Sequence, residues 1–172
     1  MCMLVRIISI MLTNTFTTDE LVERIGLLRV YYNAVLFGGK GDAPLSAVLG
    51  DSCSGETLEA LAEWHAGFEA AGVQPIAVYE GLDSVEREVG GLPTITLYVP
   101  IRFSHSYLRG FGEWFRTHVQ PNILLSVRTD PRMAGGCGLV WDHVFHDLSL
   151  RYHIAAHRDE IVNRFDAHTH AL

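Results

Sequence analysis

The apolar positions of the first ninety residues recur every three or four residues in three stretches, which is the spacing of amphipathic helices. The first stretch follows Thr17 and Glu20, whose separation fits a capping box at a helix start. Its apolar positions are Leu21, Ile25, Leu28, Tyr32 and Val35. The pair Gly38-Gly39 ends the pattern, so the sequence predicts a helix between these limits.

Two more helices are predicted downstream. The second has Ser54 as its N-cap and ends at Gly72, and the third starts at Pro75 and ends before Pro93. Their inward stripes are Leu58, Leu61, His65 and Phe68 on the second helix and Ile76, Tyr79, Leu82, Val85 and Val89 on the third. Because each helix has a stripe on one side only, we expect a small helical bundle.

The opening segment MCMLVRIISIML is apolar but only twelve residues long, and Arg6 lies in its middle. It is too short to span a bilayer, and it lacks the basic start and cleavage pattern of a signal peptide. We therefore expect it to form a buried first helix or strand.

The pattern changes after Pro93, where β-branched and aromatic residues dominate. TITLYV at 94–99 and the segment 123–128 predict two strands. Between them, Ser104 is expected to cap a helix with Leu108, Phe111 and Phe115 on one side. Arg109, Glu113 and Arg116 share another side, as on an exposed, salt-bridged face.

The last forty residues predict a hairpin and a final helix. Two short apolar runs, 137–141 and 144–146, flank Asp142-His143, and Asp147 is expected to cap the helix. Leu150, Ile154, Ile161 and Phe165 are predicted to point inward from this helix. The sequence thus predicts an α+β fold, with a helical bundle over residues 1–92 and a small α/β domain over residues 93–172.

Composition and charge limit the function. The chain has 172 residues, of which 48% are hydrophobic and 19% charged, so it is no disordered tail. Residues 1–100 hold 5 basic and 13 acidic residues, a net of −8, whereas residues 101–172 carry a net of +1. The imbalance fits two surfaces for different partners, or simply an acidic solvated face. It argues against nucleic-acid binding, which needs a concentrated basic patch.

No catalytic constellation stands out. The three cysteines show no CxxC spacing, and Cys137 in GGCG has no neighbouring base that would activate it, so a buried thiol is expected. Six of the nine histidines lie in the last thirty residues, with His153 and His157 at the i, i+4 spacing of a zinc pair. Ile154, however, stands where the helical zinc motif of metalloproteases has glutamate.

Residues 130–151, DPRMAGGCGLVWDHVFHDLSLR, resemble the C-terminal motif of the delta subunit of F-type ATP synthases, whose eukaryotic relative is the oligomycin-sensitivity-conferring protein. Asp130 and Pro131 match the family's turn, Gly135 and Gly136 its glycine pair, and Asp147 and Ser149 its Asp-x-Ser. The predicted order from Pro93 onward is similar to the family's C-terminal domain. The helical domain is expected to be a shortened or divergent form of the family's bundle.

The resemblance implies a non-catalytic stator subunit without cofactor or metal, at the cytoplasmic face of the cell membrane. Its helical domain would grip the N-terminal segments of the alpha subunits, and its C-terminal domain would hold the b-type peripheral stalk. The membrane would be reached only through the complex. The expected docking groove uses apolar residues of the first two predicted helices: Leu21, Ile25, Leu28, Tyr32, Leu58, Leu61 and Phe68.

Two other interpretations fit the same sequence. One is a small metal-dependent hydrolase built on His153 and His157. The other is a stand-alone adaptor that binds some other helical partner through the same apolar surfaces.

Overall fold

A computed structural model describes residues 3–41 and 43–169 of the chain, the last six of them as backbone only. These residues form a mixed α+β fold of eight helices and one four-stranded sheet. The elements are, in chain order, α1 Met3–Leu12, α2 Thr18–Leu36, α3 Leu45–Leu49, α4 Gly55–Ala70, α5 Pro75–Val89, β1 Thr94–Val99, α6 His105–His118, β2 Leu124–Thr129, β3 Gly136–Trp141, β4 Val144–Ser149, α7 Leu150–Ala156 and α8 Arg158–Thr169. None of the helices in the described ranges is long and apolar enough to cross a bilayer.

Helices α2, α4 and α5 begin where the sequence chemistry predicts, whereas the short α3 was not predicted. Thr17 accepts a hydrogen bond from the backbone of Glu20, and the Glu20 carboxylate accepts one from the backbone of Thr17, which completes the predicted capping box. Ser54 caps α4 through the N–H of Thr57. The opening segment forms α1, with Ile7 and Met11 fully buried. Each predicted helix start in this region is confirmed.

The predicted inward stripe of α5 is wrong in the first turn of the helix. Ile76, predicted to point inward from α5, is 42% exposed, whereas Val78 is fully buried. Leu82 and Val85 are buried as predicted. The α5 stripe therefore runs through Val78, four residues before Leu82, which is the ordinary helical interval.

The sheet has the order β2-β1-β3-β4, with β1 and β2 parallel and the other pairs antiparallel. Helix α6 makes the crossover that a parallel pair requires. Asp142 and His143 both have positive φ, 48° and 64°, as the two central residues of a type I′ hairpin turn do. The predicted hairpin is confirmed, although β4 continues to Ser149 rather than stopping at His146.

Phe115 of helix α6 packs on one side of the sheet, in a core that includes side chains of three strands. Ile95, Leu97 and Val99 of β1 pack there with Phe103 and Phe115. The neighbouring β3 side chains on this side, Cys137, Leu139 and Trp141, are half-buried. A second and larger core lies among α1 to α5 and includes Trp64, Tyr32 and Phe68.

The two cores meet at a seam formed by residues 12–17, α6 and the start of β2. The N–H of Leu125 donates to the carbonyl of Phe16 at 2.9 Å, and Leu124 belongs to the helical core. Arg116 donates to the carbonyl oxygens of Leu12, Thr15 and Ile123. Its guanidinium also lies 4.6 Å from the centre of the Phe16 ring. The division into domains 1–92 and 93–172 stays a prediction, and these bonds cross it.

Arg116 corrects the prediction for α6. The expected exposed face of Arg109, Glu113 and Arg116 holds only for the first two, because Arg116 points into the seam. Phe111, predicted to share a side with Leu108 and Phe115, is 41% exposed. Helical spacing predicts an exposed Arg116 because it does not show that three backbone carbonyls of distant residues accept hydrogen bonds from it.

The α6 glycines allow a paired test of the seam. A Cβ added at Gly112 would lie 2.5 Å from Phe16 Cδ1, whereas nothing lies within 4 Å of a Cβ added at Gly110. We expect Gly112→Ala to lower the free energy of unfolding by about 1–3 kcal/mol through overpacking. Gly110→Ala should raise it by about 0.5–1 kcal/mol, since alanine is the better helix former. Urea unfolding of both variants measures this, and two shifts of the same sign would contradict the packing.

Candidate functional site

The family-like motif begins with a turn that its own residues hold together. The Asp130 carboxylate accepts hydrogen bonds from the backbone and the side chain of Arg132, at 3.0 and 3.2 Å. These bonds, the side-chain one first, lower the pKa of Asp130. The N–H of Asp130 donates to Val99 at 2.8 Å, which ties the turn to the end of β1. Asp130 and Pro131 thus shape the approach to the glycine pair.

The two glycines of the motif have different roles. Gly136 has φ +77°, and a Cβ there would lie 2.3 Å from the carbonyl oxygen of Leu148. Gly135 has no positive φ, and its Cβ would make ordinary contacts with Leu150 at 3.7 Å. Its carbonyl accepts a hydrogen bond from the N–H of Leu150 at 2.9 Å. Of the two positions, only position 136 requires glycine, because its φ is positive and its backbone lies close to β4.

Ser149, rather than Asp147, caps the helix that follows the hairpin. Ser149 Oγ accepts from the N–H of Tyr152 at 3.2 Å, whereas Asp147 lies within β4. The Asp147 carboxylate accepts the N–H of Ser149 at 2.9 Å. Hydrogen bonds from the Ser149 side chain and backbone lower the pKa of Asp147. The predicted cap is therefore displaced by two residues, and Asp147 orients the residue that caps.

Strand β4 is exposed along both sides as far as Leu148, including the side that carries the α6 core on the neighbouring strands. The register pairs Leu148 with Cys137, His146 with Leu139 and Val144 with Trp141. Paired residues point to the same side of a sheet, so these β4 side chains lie on the side that α6 covers elsewhere. Val144 is nevertheless 53% exposed and Leu148 46%. We call Val144, His146 and Leu148 the β4 face.

The last helices leave further apolar side chains uncovered. Leu150, Tyr152 and Ile154 of α7 are each about half exposed, and α7 has no buried residue. The single final helix that was predicted is broken at His157 into α7 and α8. Leu150 and Ile154 were predicted to point inward and do not, while the predicted Phe165 side chain lies outside the described residues. This end of the fold therefore exposes apolar side chains on α7 as well as on the β4 face.

The histidine pair does not form a metal site with other described side chains. The rings of His153 and His157 are 6.3 Å apart, and His157 Nδ1 lies 3.1 Å from the carbonyl of His153. Where side chains are described, no group of three potential ligands among His, Cys, Asp and Glu lies together. The side chains of His168 and His170 are outside that range.

The expected docking groove on the helices is corrected by burial. Leu21, Ile25, Leu28, Tyr32, Leu61 and Phe68 are all at most 1% exposed, and Leu58 alone of the predicted set is half-buried. These residues form the helical core, because stripes at helical spacing mark the side that packs inward. A partner of the helices would instead meet exposed apolar side chains: Met3, Val5, Val22, Val30 and Ile76.

Sequence reasoning missed the β4 face, although its signal was present. Val144, His146 and Leu148 alternate along a strand, but the strand was predicted only as far as His146, with Asp147 as a helix cap. One crossover helix is about 10 Å wide and strands are nearly 5 Å apart, so a single helix covers two to three strands. The fourth strand of such a sheet is left open unless another element packs on it.

Comparison with known proteins assigns no family to this fold. A scan against protein-family models found no match to the chain, and a search of curated proteins found no significant similarity. The resemblance of residues 130–151 to the delta subunit therefore stays a prediction.

Proposed function

We propose that this chain is a non-catalytic stator subunit of an F-type ATP synthase, which links the catalytic head to the b-type peripheral stalk. One observation carries the proposal: Val144 and Leu148 of the β4 face and Leu150, Tyr152 and Ile154 of α7 are apolar side chains that stay about half exposed. They follow β3, which begins at the second glycine of the pair that resembles the delta family. Exposed apolar patches of this kind mark sites where a partner binds.

The shape of the β4 face suits a helix. From Val144 to Leu148 the strand spans about 13 Å, which matches about two and a half turns of a helix. Leu150 and Ile154, one helical turn apart on α7, are further exposed apolar side chains in the segment that follows the strand. A partner helix would place an apolar stripe on these side chains. In this proposal that partner is the end of the b-type stalk.

The helical end of the molecule takes the other partner in this proposal. Residues 1–100 carry the net charge of −8, and α1, α2 and α5 expose Met3, Val5, Val22, Val30 and Ile76. An N-terminal segment of the alpha subunit with apolar and basic residues would complement them. The protein would then lie at the cytoplasmic face of the membrane and be attached to the membrane only through the other subunits of the complex.

Replacing Val144 and Leu148 together by serine is expected to weaken capture of a purified b-type stalk segment at least about tenfold. Each substitution removes a side chain whose burial contributes roughly 1.5–3 kcal/mol when complete. Both residues are about half exposed, so the fold should be retained, as circular dichroism checks. Surface plasmon resonance with the immobilised stalk segment measures the affinity.

Val22→Ser is the matched control, because Val22 is 58% exposed on α2 and distant in sequence from the hairpin. It should leave stalk binding unchanged. The proposal fails if the unmodified chain does not bind the stalk segment, or if the double variant binds it equally well.

A further inference from the structure

A cavity of about 600 Å³ lies between α2, α3 and α4, away from the β4 face. Its floor is apolar and aromatic, with Tyr31, Tyr32 and Leu45 buried and Val35 and Leu58 half-buried. The cavity follows α4 from Leu58 to Glu69, which corresponds to a length of roughly 16 Å along the helix axis. It is therefore an elongated trough rather than a round pocket.

His65 lies near the middle of this trough in a fixed orientation. Tyr32 Oη and His65 Nδ1 are 3.1 Å apart and form a hydrogen bond, and burial raises the pKa of Tyr32. The other ring nitrogen of His65, Nε2, lies 3.7 Å from a Glu69 carboxylate oxygen. The rings of Tyr31, Tyr32 and His65 pack at centroid distances of 5.2 to 6.0 Å. This part of the wall is built from π systems.

Two carboxylates belong to the described lining of the trough. Glu59 and Glu69 stand at its rim on the same helix, ten residues and about 15 Å apart. Among the lining residues that the structure describes there is no lysine or arginine. An apolar, aromatic floor with a carboxylate near each end complements a molecule with an aliphatic middle and a cation at each end.

We propose that the trough binds a long-chain α,ω-diamine. The methylene chain lies on Leu58, Val35 and the tyrosine rings, and the two ammonium groups meet Glu59 and Glu69. The site is independent of the stator proposal, because none of the β4 face, α7 or the exposed residues of α1 contributes to it.

Titration of the full chain with octamethylenediamine, followed through the His65 ring signals by NMR, tests the proposal. We expect saturable shifts, with octylamine and tetramethylenediamine each binding about threefold more weakly, because each reaches only one carboxylate and exposed ion pairs are modest. The neutral octamethylene glycol should bind more weakly still. Glu59→Gln and Glu69→Gln should each weaken the diamine about threefold.

Glu80→Gln is the control, because Glu80 is exposed on α5 and the substitution removes the same charge outside the trough. It should leave diamine binding unchanged. Absence of shifts at His65, equal binding of the glycol and the diamine, or equal losses in Glu80→Gln and Glu69→Gln would each overturn the proposal.

Discussion

Gly136→Ala is expected to lower the free energy of unfolding by about 3 kcal/mol or more, the larger of two effects at the glycine pair. A left-handed conformation costs a residue with a Cβ roughly 1–2 kcal/mol, and Gly136 has φ +77°. The added carbon would also lie 2.3 Å from the Leu148 carbonyl oxygen and 2.9 Å from Ser149 Cα. Because both contacts are backbone, β3 and β4 would have to separate where α7 begins.

Gly135→Ala is the matched control within the same pair. Its added Cβ would be 3.7 Å from Leu150 atoms, an ordinary contact, so the free energy of unfolding should change by less than about 0.5 kcal/mol. Chemical denaturation of both variants measures the difference. Equal stability of the two would mean that the conformation at Gly136 differs from the one described.

Arg116→Ala is expected to lower the free energy of unfolding by about 3 kcal/mol. The substitution removes donors from the carbonyls of Leu12, Thr15 and Ile123, which lie in partly buried positions. A hydrogen bond to a charged group contributes roughly 1.5–3 kcal/mol, and solvent entering the gap offsets part of the loss. The contact with the Phe16 ring is lost as well. Burial lowers the pKa of Arg116, but a guanidinium stays protonated at any ordinary pH.

Arg109→Ala on the same helix is the control, because Arg109 is exposed and no hydrogen bond from its side chain is described. Its effect should stay within about 0.5 kcal/mol. Arg116→Lys should recover only part of the stability, since an ammonium does not reproduce the planar fork. Urea midpoints for the three variants test the seam. An unchanged midpoint in Arg116→Ala would show that the hydrogen bonds of Arg116 do not stabilise the fold.

Local chemistry made much of the fold predictable. The capping box at Thr17, the Ser54 cap, the Pro75 start and the turn at Asp142-His143 each depend on neighbouring residues only, and each was predicted. The strand Thr94–Val99 was predicted with its bounds, because proline residues flank it. The mixed α+β class follows from these elements.

Features that depend on distant residues were not predictable in the same way. Arg116 was placed on the surface because its acceptors at Leu12 and Thr15 lie about a hundred positions earlier in the chain. Leu150 and Ile154 were placed inside because helical spacing marks an apolar side without saying whether anything packs on it. For the same reason, the expected docking residues of the helices, such as Ile25 and Leu61, proved to be core.

The seam also fixes an order of assembly during synthesis. The Phe16 carbonyl bonds to the N–H of Leu125, so its partner is made more than a hundred residues later. At about 5–20 residues per second, this gap corresponds to roughly 5–20 s on the ribosome. During that interval the first helices emerge while the acceptors at residues 12–16 are still met by water. The helical part is thus expected to form early, and its hydrogen bonds to Arg116 and Leu125 are expected to form only after these residues have been synthesised.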